Sequence, residues 1–165
     1  MDEMQRLTEE EPAAWERFVA VLELLPAALD AQLAADANLT FFEYFCLKTL
    51  ADAPERKLRV SALAAHTNAT LPRISRVVRR LEKRGLVGRA TCPHDGRATN
   101  VSLTEEGWEK VAQAAPRQMG TVRKLVLDAL EPEQVGQLSD ISAALLSRLD
   151  PDGRLPVTSQ CAEAA

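Results

Sequence analysis

Apolar residues recur at alternating spacings of three and four along most of this chain and give way to strand-like runs in one short stretch. Trp15, Phe18, Leu22, Leu25, Leu29 and Leu33 set a first helical stripe from about Pro12 to Ala35, with Pro26 inside it as a point where the helix can kink. Thr40 and Glu43 have capping-box spacing and open a second helix, about Phe41 to Asp52, which Ala53-Pro54 ends. Phe42, Phe45, Cys46, Thr49 and Leu50 are its expected buried side. A short helix follows from Arg59-Val60-Ser61 to about His66, with Leu63 and Ala64 inward, and Thr67-Asn68-Ala69 reads as a tight turn. Thr70 suits an N-cap and Pro72 a first helical turn; that helix runs to about Arg84 and stops at Gly85. Its apolar stripe is Leu71, Ile74, Val78 and Leu81, with Val77 beside them. Leu86–Cys92 and Ala98–Leu103 read as strands joined through Pro93-His94-Asp95-Gly96-Arg97, a hairpin signal. Thr104 caps a helix that carries Trp108, Val111, Ala115, Met119, Val122 and Val126 to about Leu130, bent at Pro116. A last helix from Glu131-Pro132 lines up Val135, Leu138, Ile141, Leu145 and Leu149 and ends at Pro151-Asp152-Gly153.

Composition bounds this picture. The chain has 165 residues, 46% apolar and 27% charged, which suits one globular domain. No unbroken run of eighteen apolar residues occurs, so no membrane span is expected, and the acidic N-terminus does not read as a signal peptide. Three separated cysteines fit a reducing cytoplasm better than a disulfide framework. Net charge is −4, yet Arg56 to Arg97 holds eleven Lys/Arg against two acids, while the rest holds nine against twenty-two. A compact basic segment on an acidic scaffold points to a polyanion-facing surface.

The helix Thr70–Arg84 carries that charge. Arg73, Arg76, Arg79, Arg80, Lys83 and the Ser75 hydroxyl lie around the cylinder away from the apolar stripe. A helix anchored on one side and arginine-bearing on the other suits the major groove, where a guanidinium donates two bonds to guanine. A short helix and a three-residue turn precede it, so the pair reads as a helix-turn-helix. Arg79 is left between a phosphate and an acid of the chain itself. The hairpin tip, His94-Asp95-Gly96-Arg97, offers a cation to the minor groove, with Asp95 holding Arg97 or capping the turn. Together these predict a mainly α protein with a small β-hairpin wing: a winged helix-turn-helix over 37–103, helical dimerisation regions over 12–36 and 104–150, and tails over 1–11 and 151–165.

Leu58-Arg59-Val60-Ser61-Ala62-Leu63-Ala64, Leu81-Glu82-Lys83-Arg84-Gly85-Leu86-Val87 with Arg89, Asp95-Gly96-Arg97, and Val101-Ser102-Leu103-Thr104-Glu105-Glu106-Gly107 carry a further inference. From about Leu39 to Gly107 the chain resembles the winged helix-turn-helix of the multiple-antibiotic-resistance regulator (MarR) family. The resemblance implies a homodimeric transcription regulator, more often a repressor, whose first and last long helices dimerise. It implies a pseudo-palindromic duplex operator contacted by Thr70, Pro72, Arg73, Ser75, Arg76, Arg79, Arg80, Arg89, His94, Asp95 and Arg97. It also implies a small aromatic or anionic effector between the winged domain and the dimerisation helices, for which Trp15, Phe18, Phe42, Phe45 and Arg59 are candidates.

No cofactor is expected. Cys46 reads as inert packing, and Cys92 beside the wing as the more exposed thiol. Cys92 and His94 lack a second pair of metal ligands at plausible spacing. Two histidines, no phosphate loop and no nucleophile elbow argue against an enzyme. The remaining alternative is a winged helix that binds proteins and never touches DNA.

Overall fold

The computed structural model describes residue 8 and residues 10–92 and 95–158, with side chains for all of these except 92 and 95–98. Six helices and three strands follow in the order α1 (Glu10–Ala37), α2 (Phe41–Asp52), β1 (Lys57–Arg59), α3 (Val60–His66), α4 (Leu71–Lys83), β2 (Val87–Cys92), β3 (Asp95–Leu103), α5 (Glu105–Leu125) and α6 (Pro132–Leu149). The expected helices are all present. α1 continues through Pro26, and α5 through Pro116, without ending. α5 stops five residues short of its expected end, and a 3-10 turn at Leu127–Ala129 takes over.

The core is centred on the winged segment and takes in Leu33 and Ala37 of α1 and Val111 and Ala114 of α5. Leu39, Leu47, Leu50, Leu63, Ile74, Val78, Leu81 and Val101 are essentially inaccessible. Strands pair antiparallel in the order β1-β3-β2, with Leu58 opposite Val101 and Val87 opposite Leu103. β1 is not foreseen by the sequence reading, which begins a helix at Arg59. Three residues are too short to show alternation, and only pairing with β3 makes them a strand. β3 begins at Asp95, so the strands leave a shorter tip than the five residues expected.

The Thr40–Glu43 capping box forms as expected: the Glu43 N–H donates to Thr40 Oγ1 at 3.1 Å and the Thr40 N–H to Glu43 Oε2 at 2.9 Å. The buried side of α2 is rotated from the expected one. Glu43, Tyr44, Cys46, Leu47 and Leu50 face inward, while Phe42 and Thr49 are half-buried and Phe45 is exposed. α2 is apolar almost all round, so hydrophobicity alone does not choose its face. Leu71, at the start of α4, and Met119 stand in solvent, and α5 buries Val111, Ala114 and Gln118.

Two glycines explain why the α4–β2 and β3–α5 junctions are spelled as they are. Gly85 adopts φ +73° just past α4, a conformation glycine takes without strain. A Cβ on Gly107 would stand 2.1 Å from the Leu86 carbonyl oxygen. Thr104 ties the junctions together: its Oγ1 donates to Gly85 O at 2.7 Å and accepts from the Gly107 N–H at 3.0 Å.

The long helices are barely covered. Trp15, Leu24, Ile141 and Leu149 are 63%, 71%, 58% and 73% exposed, and α6 buries no residue of its own in the single chain. By length and composition α1 is apolar enough to cross a membrane, with a mean hydropathy of 1.6 over its best 18 residues. The search for unbroken apolar runs misses this, because Glu23 and Asp30 interrupt the stretch. Beyond α6, Asp150 is buried and accepts from the Arg154 and Leu155 N–H groups at 3.0 and 2.8 Å. These bonds, the Leu155 one above all, hold its carboxyl below the usual range, and they order the start of the expected tail.

Candidate nucleic-acid interface

α4 is built as two-sided by its sequence. Ile74, Val77, Val78 and Leu81 are buried, and at about 100° per residue the cations fall into two rows beside that stripe. Arg73, Arg80 and Arg84 form the row turned toward α2. Pro72, Arg76, Arg79 and Lys83 form the row opposite the core, and all four are exposed.

The inner row is occupied. The Arg80 Nε donates to Glu43 Oε1 at 2.6 Å. Arg84 lies 3.7 Å from Glu43 Oε2 and donates to the Asn38 carbonyl at 2.7 Å. The Arg73 guanidinium sits 3.8 Å from the centroid of the Phe42 ring, a cation–π contact. Burial pushes the Glu43 carboxyl up, but the Thr40 N–H bond and the charges of Arg80 and Arg84 outweigh it and hold the group below its ordinary value. Arg80, counted among the DNA contacts by the sequence reading, is paired with Glu43, and among the described residues no acid pairs with Arg79.

The outer row is open. Among the described residues none of Arg76, Arg79 and Lys83 enters an ion pair, and Arg76 makes only a long 3.4 Å bond back to the Pro72 carbonyl. Thr70 occupies the N-cap position of α4, but its side chain makes no cap bond, contrary to expectation. It is exposed beside the first-turn N–H groups, and Ser75 is half-buried on the far flank. Arg89 on β2 pairs with Glu82 at 2.7 Å, and the hydrogen bond from its Nε keeps it charged. Arg56 is a cation the sequence reading leaves unassigned. Left-handed φ values at Glu55 and Arg56 (55° and 53°) turn it to within 4.0 Å of the Trp108 ring centroid and 3.3 Å of Glu105. No glycine marks that turn, so nothing in the sequence announces it. His94 lies outside the described residues, and so do the side chains of Asp95 and Arg97.

The five effector candidates are not brought together. The rings of Trp15 and Phe18 lie 6.4 Å apart on the open side of α1, Phe42 lies under Arg73, and Arg59 is exposed on β1. Phe45 borders a hollow of about 480 Å³ with Lys48, Leu58, His66, Leu155 and Val157. Cys46 is fully buried, which pushes its thiol up to about 12 and leaves it unreactive.

A sequence profile described as MarR family matches residues 37–98, the winged segment. The crystal structure of Sco3205, a MarR family transcriptional regulator from Streptomyces coelicolor in complex with DNA, is 39% identical. It superposes with a TM-score of 0.86 over 92% of this chain and 94% of that one. AbsC, a MarR family transcriptional regulator from the same organism, is 31% identical with a TM-score of 0.82 over 88% of this chain and 98% of that one. Transcriptional repressor MprA of Escherichia coli is 32% identical over 117 residues, 71% of this chain. The chain spans 65% of the length of MprA. With the fold shared along nearly its whole length and the winged segment matched in sequence, this chain belongs to the MarR family.

Proposed function

We propose that the protein is a homodimeric transcription regulator, a repressor, that binds pseudo-palindromic duplex DNA with α4 in the major groove and the β2–β3 wing in the minor groove. The observation that carries this is the outer row of α4: Arg76, Arg79 and Lys83 stand exposed without an acidic partner among the described residues, while cations behind them are taken by Glu43. A solvated charged face would not need the neighbouring cations to be neutralised selectively. Thr70 and the first-turn N–H groups suit a phosphate. Arg73, Ser75 and Arg89 border the same surface, with His94, Asp95 and Arg97 completing the wing. Solved relatives include Sco3205 in complex with DNA, and MprA is a repressor.

The dimer reading rests on the bare helices. α1, the end of α5 and α6 enclose an apolar hollow of about 660 Å³ lined by Val21, Leu24, Leu25, Leu125, Leu138 and Ile141. A second copy laid across it covers the apolar surface of α1 without a membrane. Twofold symmetry then places two α4 helices about 34–36 Å apart, one turn of B-DNA. The partners are duplex DNA and a second copy, in the cytoplasm. Release by a small aromatic or anionic effector is part of the reading; the hollow beside Phe45, with Lys48 and His66, is the size such a molecule needs.

Selection from a random duplex pool tests the core of this. An enriched inverted repeat with half-sites about 10–10.5 base pairs apart is expected. A pool that stays random, with no duplex retained, contradicts it and favours a protein-binding winged helix. Small aromatic acids added to the selected complex then test release.

A further inference from the structure

Three consecutive residues at the start of α2 tie it to α1 and to α4. The Phe41 N–H donates to Asp30 of α1 at 2.8 Å. The Phe42 ring lies under Arg73 of α4. Glu43, 3% exposed, receives Arg80 of α4 at 2.6 Å and lies 3.7 Å from Arg84. Arg84 in turn donates to Asn38, in the turn between α1 and α2. A carboxylate so far out of water is strongly disfavoured unless charge and hydrogen bonds replace the lost solvent. Glu43 therefore requires Arg80 beside it, although the Arg80 side chain is itself 57% exposed. Buried apolar packing fixes how deep α4 sits and opposes rotation about the helix axis. A 2.6 Å ion pair set to one side of the stripe resists it directly.

We propose that Glu43 is a positioning residue for DNA recognition, acting through Arg80 to fix the rotation of α4 and so to aim Arg76, Arg79 and Lys83 at the groove. Arg80 then serves recognition from behind the helix rather than as a DNA contact. The inference rests on the DNA-binding reading above.

The experiment compares the parent with Glu43→Gln, Arg80→Gln and the double variant. Gln at 43 still accepts the Thr40 N–H, so the capping box survives, and Arg80→Gln changes a half-exposed side chain. For each protein, affinity is measured for the selected duplex and for random duplex across a range of salt, alongside thermal melting. Each single variant is expected to lose about tenfold of its preference for the selected duplex over random duplex, with an unchanged salt slope. The double variant is expected to be no worse than the poorer single one, because both changes break one link. A merely structural role would weaken both duplexes equally and leave the preference intact, which overturns the proposal. A salt slope shallower by about 0.9 in Arg80→Gln makes Arg80 a phosphate contact and overturns it too, as do losses that multiply in the double variant. A parent that binds neither duplex removes the DNA-binding reading itself, and this inference with it.

Discussion

Single residues carry more of this fold than their bulk suggests. Gly107 lets α5 start directly against the Leu86 carbonyl, and any side chain there meets backbone that cannot move aside. Gly107→Ala is expected to cost on the order of 1–3 kcal/mol in denaturant unfolding, the range for forced overpacking. Glu43 makes a second prediction. Its carboxyl is held below the ordinary 4.5, so its charge stabilises the folded protein at neutral pH. That contribution is complete above the unfolded value and is lost as pH falls through the lower folded one. The stability gap between parent and Glu43→Gln should therefore be widest near neutrality and close below pH 4.5, read from denaturant midpoints at a series of pH values. A gap that stays constant as pH falls would assign Glu43 no ionised role. Glu43 was legible in the sequence as half of a capping box. Its second role was not, because a partner 37 residues away leaves no local spacing to read.

At the scale of elements, legibility followed contrast. α4 alternates apolar and cationic positions so sharply that its buried side could be named, apart from Leu71 at its exposed start. α2, whose opening Phe41-Phe42-Glu43-Tyr44-Phe45-Cys46-Leu47 has one charge, gave no such contrast, and its inward face was misplaced. Of the two α2 aromatics offered as effector candidates, Phe42 lies under Arg73 and Phe45 borders a hollow. The basic segment was found from charge counting, but which cations were committed within the chain needed the packing of α2 and β2 on α4. That division yields a prediction for the outer row: Arg76→Ala is expected to relax base preference at one position of each half-site at a cost of about 1–3 kcal/mol, seen as a broadened selected sequence. If the selected sequence stays equally sharp and only the salt slope falls, Arg76 holds a phosphate instead.

For the whole molecule, the division is between a core that closes within one chain and long helices that do not. The winged segment and the stretches of α1 and α5 packed on it share one buried core; α6 and the rest of α1 leave their apolar residues open. Periodicity foretold the stripes, and the bare surface shows that one chain does not use them up. An unpaired charge in the proposed dimer interface is costly, so Leu145→Asp is expected to sediment as a monomer where the parent sediments as a dimer, and to bind the selected duplex far more weakly. A variant that sediments as a dimer would move the interface elsewhere.

The claim on which the rest depends is that the open cations of α4 and the wing meet DNA phosphates and bases. The salt dependence of binding to the selected duplex tests it most directly. Log affinity is expected to fall linearly with log salt, by about 0.9 for each phosphate neutralised, with several phosphates per complex. Affinity that hardly changes as salt is raised would contradict it.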